Sequence, residues 1–327
     1  MPNPTPRAVH LDGYLTQFSI AQAQAMENFI AATVFPIVPV QNATDLYFIF
    51  EDEWFRRDEF EERPLGGRSK RIGYKTTSAQ YSVIEESLAH AIDDRVRANA
   101  DDPLNPDRAA TRLLTEQAMI HMDRKWATAY FQSGVWDTDV DGVSANPTTG
   151  EILQWDQSGS NPMADIDFYK DAMHLATART PNILVMGSQV YREVKQNAEI
   201  LDRIKYTQTG VITQQLLASF FGVDKLVVAK GIWNTSPEGV AASNDWIVSP
   251  ADMLLCYAPS SPAIEEPAAG YHFAWTNLIP GAGNAMGGVV ERRRDEDAHS
   301  DIIELRTAQS VQVVSSALGV FFSDVVA

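Results

Sequence analysis

Cysteine is nearly absent: Cys256 is the one thiol in 327 residues. That excludes an intrachain disulfide and a thiolate zinc cluster, both of which need more than one sulfur. Its setting, MLLCYA, reads as a strand interior, where a free thiol behaves as a small apolar side chain rather than a nucleophile. No apolar run approaches the roughly 20 residues of a bilayer crossing, so no membrane contact is expected. The opening MPNPTPRAVHLDGY lacks a secretory cationic and apolar leader, and synthesis and use in a cytoplasm are expected. Basic residues are also scarce, 26 against 43 acidic, for a net charge of −17. Tight binding to phosphate, which Lys and Arg drive, is therefore disfavoured, and a specific reader of DNA is not expected.

Catalytic signatures are missing too. There is no Walker loop, no GxSxG elbow and no HExxH. The six histidines, at positions 10, 90, 121, 174, 272 and 299, are scattered. Glu85-Glu86 and Asp93-Asp94 are sequence neighbours, which on a strand point to opposite faces and make no acid and base couple. Asp137, Asp139, Asp141 and Gly142 match the first half of a calcium loop, but the closing position is Thr148 instead of a bidentate Glu. An acidic turn is the expectation. Gly281, Gly283 and Gly287 follow Pro280 and precede the strand pattern GVVERRR, so a dinucleotide site, which needs a helix there, is not expected. No catalytic, cofactor-binding or metal residue is assigned and no cofactor is implied.

What is present is a sequence of contrasting pieces. At 45% hydrophobic and 21% charged, the chain is long enough for two or more lobes. SIAQAQAMENFIAATVF can be helical, with Ile20, Ala23, Met26 or Glu27, Ile30 and Val34 near one face, and Pro36 and Pro39 then enforce extended backbone. With little to bury internally, this opening is expected to pack on a neighbouring molecule. Next, Leu46, Phe48 and Phe50 alternate with Tyr47, Ile49 and Glu51, and Tyr74 to Val83 alternate beyond the turn Pro64-Leu65-Gly66-Gly67. This predicts a long two-stranded ribbon with Glu59, Glu61, Glu62, Arg63, Arg68, Lys70 and Arg71 at its tip. Asn105-Pro106-Asp107 then open a helix running through about Phe131, an N-cap, a first-turn proline and an acid at the positive helix end. After an Asp- and Gly-rich loop come the helix DIDFYKDAMHLATA, the strand NILVMG, one helix SQVYREVKQNAEILDRI, a helix before the strand KLVVAK, and two strands in WIVSPADMLLCYA. The tail is strand-rich, and Val320, Phe321 and Phe322 are expected to return to the long helix's domain. Arg292, Arg293 and Arg294, followed by Asp295, Glu296 and Asp297, form either a solvated patch or an ion-pair network between molecules. The fold class read from these pieces is α+β.

In order and length the pieces, from FPIVPV through ADDPLNPDRAATRLL to PNILVMGSQVYREVKQNAEILDRIK and LLASFFGVDKLVVAKGIWNT, resemble the major capsid proteins of tailed double-stranded-DNA phages, the Hong Kong 97-like fold, over essentially the whole chain. The resemblance implies an N-terminal arm (1–45), an extended hairpin loop (46–102), a peripheral domain with a spine helix (103–163), an axial domain (164–270) and a C-terminal return to the peripheral domain (271–327). It further implies a non-enzymatic subunit that self-assembles through hexamers and pentamers into an icosahedral head shell. The shell would form in the host cytoplasm and belong to the virion. Implied partners are a separate scaffolding protein, a portal, decoration protein, and packaged double-stranded DNA in loose, non-specific contact. Some such shells are welded by Lys to Asn isopeptide bonds; Lys70 and Lys75 lie in the hairpin, but no Asn or Glu is identified, and that chemistry is not carried over. The alternatives are an encapsulin-like nanocompartment shell and a soluble acidic metal-dependent enzyme using Asp137 to Asp141.

Overall fold

The computed structural model describes residues 24–50, 56–63, 65–73, 76–100, 105–204, 212–261, 266–280, 283 and 288–327. Its centre is a six-stranded mixed sheet in the order β6 (Glu151–Leu153), β5 (Thr138–Val143), β16 (Gly319–Ser323), β11 (Met253–Cys256), β7 (Ile183–Met186) and β8 (Lys225–Val228). The short apolar runs ILVM and MLLC become strands because both faces are covered, leaving no position that prefers water. Alternation then sorts the side chains. Leu184, Met186, Met253, Leu255, Val320 and Phe322 face a layer that includes α4 (Pro162–Thr177), α5 (Ser188–Val194) and α7 (Gln214–Phe221). Ile183, Val185, Leu254, Cys256 and Phe321 face the opposite layer. The tail strand β16 thus sits inside the sheet. Phe321 meets Phe131 edge to face at 5.2 Å, while Phe322 meets Tyr169 on the other side at 5.1 Å.

The opposite layer is carried by α3 (Pro106–Tyr130), 25 residues and about 37 Å long. As the sequence predicts, Pro106 opens it and the Asn105 carboxamide accepts the Arg108 amide at 3.1 Å. Its buried positions include Ala110, Leu114, Ala118, Met122, Trp126 and Tyr130. Steps of four advance about 40° beyond a full turn each, so the stripe winds around the helix. The first turns pack on Ile92, Ile303 and Leu305, the last on the six-stranded sheet. One helix therefore serves two cores. Asn105→Ala should cost about 1 kcal/mol, read as a lower midpoint in urea unfolding with an unchanged slope.

Ile92 lies on β4 (Glu86–Asp93), Ile303 and Leu305 on β14 (Ser300–Thr307), and β13 (Gly288–Asp295) completes that three-stranded sheet. A second three-stranded sheet pairs β1 (Ile37–Val40) in parallel with β12 (Gly270–Trp275), and β12 with β15 (Gln309–Val313). The ribbon is β2 (Thr44–Phe50) paired antiparallel with β3 (Thr76–Ser82), Thr44 opposite Ser82 and Phe50 opposite Thr76. No helix is long and apolar enough to cross a membrane among the described residues.

Two expectations are corrected. SQVYREVKQNAEILDRI is not one helix but α5 and α6 (Ala198–Ile204). Asn197 breaks it, its carboxamide donating to the Trp155 carbonyl and the Ser160 hydroxyl and accepting the Glu199 amide. Such an arrangement competes with continuous helical hydrogen bonding and caps α6 instead. The second concerns the opening segment, expected to be satisfied on a neighbour. Residues 1–23, including Ile20 and Ala23, lie outside the described residues, but from Gln24 onward the segment belongs to its own globule. Ile30, Ala31, Val34 and Phe35 are buried against α3 and the sheet, around a short helix α1 (Ala31–Val34).

Candidate assembly surface

The ribbon's base is anchored and its tip is not. Tyr81 stacks on Phe273 with ring centres 4.6 Å apart, and Tyr47 lies 5.5 Å from the same ring. Beyond Phe50 and Thr76, residues 56–63 and 65–73 form neither helix nor strand. Phe60 is 98% exposed and Ile72 72%, and Leu65 is fully open. Large apolar side chains in water at a projecting tip mark a contact surface rather than a core. The tip is also the basic part of an acidic chain, with six Arg or Lys and four Asp or Glu in residues 56–73. Lys70 bridges Glu59 at 2.8 Å and Glu61 at 2.6 Å, and these hydrogen bonds push its ammonium up to about 12. Pro64, Tyr74 and Lys75 lie outside the described residues.

Arg292, Arg293 and Arg294 do make an ion-pair network, but within the chain. Asp301 accepts from Arg292, Arg97 and Arg294, Arg97 also reaches Asp107 at 2.7 Å, Arg294 reaches Asp94 at 2.6 Å, and Arg293 faces Glu304 at 3.5 Å. The sequence-adjacent Asp295 instead accepts turn amides from Asp297 and Ala298. Arg292 and then Arg97 hold the Asp301 carboxyl down to about 2. Its contribution to stability is present above the ordinary carboxylate range and is lost as pH falls through about 2. The network clips β13 and β14 to the start of α3 and to α2 (Asp94–Ala98).

The remaining candidate centres resolve into structure. Cys256 is fully buried and burial pushes its thiol up, the state of an inert core residue. Asp139 and Asp141 lie on strand β5 rather than in a loop; Asp139 accepts from Ser133 and Gly134, Asp141 from Ser323. Thr148 is held by Glu151 through its amide and hydroxyl. Among the described residues no group of three His, Cys, Asp or Glu is placed to hold a metal. Gly281 and Gly287 lie outside the described residues, and strand β13 follows from Gly288. Glu85 pairs with Arg306, Glu86 with Lys125 and His121, Asp93 with Arg95, and Asp94 with Arg294. His10 lies outside the described residues, and His90 is exposed on β4.

Two buried titratable residues had no reading in the sequence. Asp123, 2% exposed, accepts the Ala31 amide at 2.8 Å and the Ile30 amide at 3.1 Å. It caps α1 from 92 residues away, the task an N-cap side chain performs locally. An acid inside the apolar face of a well-capped helix is the signal that could have found it. His272 stacks on Tyr130 at 6.1 Å beneath Phe35, and among the described residues neither ring nitrogen has a hydrogen-bond partner. Burial lowers it to about 4, so the ring is neutral.

No family model matches the chain. Over 250 residues, 76% of each protein, it is 26% identical to the major capsid protein of Burkholderia phage BcepMu. Among solved structures, a phage-related protein from Bordetella bronchiseptica RB50 superposes with a TM-score of 0.69 at 21% identity, covering 97% of both chains. The capsid structure of cyanophage P-SCSP1u gives 0.55 at 9% identity, covering 91% of this chain and 89% of that one. The chain has a phage-capsid fold. The SrpI encapsulin of Synechococcus elongatus PCC 7942 shares that fold, with a TM-score of 0.53 at 12% identity over 100% of this chain and 92% of the other. The resemblance to phage major capsid proteins read from the order of the pieces is therefore met both in sequence and in three dimensions. Within this phage-capsid fold the anchored ribbon with its open tip and the two-core helix are parts of one continuous architecture.

Proposed function

We propose that this chain is the major capsid protein of a tailed phage, a non-enzymatic subunit of the icosahedral shell around packaged double-stranded DNA. The observation that carries the reading is the 26% identity to a curated phage major capsid protein across three quarters of both chains. In the finer Hong Kong 97-like reading, β2, β3 and the tip are the extended loop, α3 is the spine helix, the lobe of residues 164–270 is the axial domain and residues 271–327 return to the peripheral domain, apart from β16, which pairs with β11 of the axial lobe. The open tip, apolar and basic on an acidic molecule, supports a role in reaching an adjacent subunit within hexamers and pentamers. A net charge of −17 suits a wall that touches DNA only loosely. A separate scaffolding protein, a portal and decoration protein complete the proposed partners, and assembly takes place in the host cytoplasm.

The encapsulin-like reading is kept because SrpI shares the fold. Electron microscopy of the expressed protein, alone and with its candidate scaffold, tests both. Closed shells that take up DNA in the presence of portal support the head-shell reading; shells that carry a protein cargo transfer it to the nanocompartment. A chain that stays monomeric under all of these conditions refutes both.

A further inference from the structure

Each of the three larger sheets takes an interior strand from beyond residue 269. β12 stands between β1 and β15, β14 between β13 and β4, and β16 between β5 and β11. The strands they complete lie far earlier in the chain: Ile37 pairs with His272, Ile92 with Asp301 and Val140 with Phe322. Among the described residues β1 and β4 have no other strand beside them, and β5 has only β6, three residues long. Strands that pair within a shorter span are those of the ribbon, β9 (Ile232–Asn234) with β10 (Asn244–Trp246), and β7, β8 and β11, which join one another within residues 183–256. β16 ties β5 and β6 to that last group, and it does so on both faces of the sheet. Val320 and Phe322 enter one core, Leu318 and Phe321 the other. Trp136 lies so close over Gly319 that a Cβ there would stand 2.2 Å from its ring.

We propose that residues 270–327 are the closing segment of the fold, and that the chain becomes competent to join a second copy only when β16 has entered between β5 and β11. The competence half rests on the shell reading; the order of closing does not. Synthesis runs at about 5–20 residues per second, so Asp141 waits roughly 10–35 s for Ser323, its partner 182 residues on. Pairing over such a separation must overcome the entropy of closing the intervening chain before any contact rewards it, so the early strands gain nothing until the late ones arrive. An unfinished chain that met a second copy would leave β1, β4 and β5 to pair wrongly, the ordinary misfolding route for strands with open edges. The strand that completes the largest sheet is also the last in chain order. The surfaces on which finished copies meet are thereby withheld until that hazard has passed, and only the ribbon is ready early.

Chains arrested on the ribosome, with a flexible spacer holding everything made so far outside the exit tunnel, test the order of closing. Arrest points at Ala268, Ser315 and Ala327 are compared by pulsed digestion with thermolysin. At Ala268 both residues 86–98 and residues 131–156 should be cut freely. At Ser315, where β14 has arrived, cutting within 86–98 should slow on the order of tenfold or more while 131–156 stays open. At Ala327 both should be slow. Any other order of slowing overturns the proposal, whether or not shells exist. Labelled finished chains, added under shell-forming conditions, then read competence: on the order of tenfold more should attach at Ala327 than at Ser315. Equal attachment, or none where released chains do form shells, also overturns it. If released chains form no shells, the shell reading fails, and the order of slowing still decides the closing segment.

Discussion

Removing residues 61–71 should leave a chain that folds with an unchanged thermal midpoint and no longer closes into shells. The two halves of that outcome come from different parts of the ribbon. Folding is anchored at the base, where Tyr47 and Tyr81 pack on Phe273 and β2 pairs with β3 from Thr44 to Phe50. None of that is cut. What is cut is a stretch whose described ion pairs, Lys70 with Glu59 and Glu61, are exposed. Exposed pairs of this kind add little to stability, because water screens them and two long side chains must be held in one geometry. Assembly is affected differently, because many weak interfaces close a shell only together, and deleting the same contact from every subunit multiplies the loss. Sedimentation velocity would show slow species alone, beside normal particles from the natural chain. Normal particles from the shortened chain would remove the tip from the assembly mechanism.

The ribbon and α3 were legible because their signals are local. Pro64 to Gly67 mark the reversal, and Asn105-Pro106 mark a helix start, each within a single turn of chain. Short continuous apolar runs also placed the strands of ILVM and MLLC, although nothing local says that Phe321 and Phe322 separate to opposite layers with β16 in the middle of a sheet. Three features were illegible for one reason, that their cause is distant in sequence. Asn197 breaks a good helical pattern because Ser160 and the Trp155 carbonyl wait for its side chain. Arg292 to Arg294 find Asp301, Asp94 and Asp107, and of the acids next to them Glu296 is met by Arg294 at 3.8 Å, farther than its 2.6 Å to Asp94. The opening segment, apolar and interrupted by proline, looked unable to bury itself because its acceptor, Asp123, stands in the middle of α3. Lys225 adds a second tie, donating to the Thr33 carbonyl, and Gln24 a third, exchanging hydrogen bonds with the Ile232 backbone.

Asp123 is where that long-range burial has a measurable signature. Burial is the largest influence on its carboxyl and pushes it up to about 6, against the opposing amides of Ala31 and Ile30. Because the folded value lies above the unfolded one, the native state binds the extra proton between about pH 4 and pH 6. The associated penalty is absent below about pH 4, grows as pH rises, and is complete above about pH 6, on the order of 3 kcal/mol. His272 acts in the same window with the opposite sign. Lowered to about 4 by burial, it disfavours the native state as pH falls below the ordinary histidine range. In the natural chain the two slopes offset one another. Asp123→Asn keeps an acceptor for both amides and abolishes the carboxyl titration, so its stability relative to the natural chain should rise from about pH 4 to about pH 6.5 by up to about 3 kcal/mol. Asp165 and Asp252, also raised chiefly by burial, are common to both chains and cancel in that difference. Asp123→Ala also abolishes the titration but strands two buried amides, at about 1–3 kcal/mol each, so it should lie below the Asn variant at every pH and lose most against the natural chain at the acid end. Urea unfolding of the three chains at several pH values from about 4 to about 7 separates these cases. A pH-independent gap between the Asn variant and the natural chain would mean that Asp123 is already ionised at the acid end of that range, held by the two amides more strongly than burial opposes it.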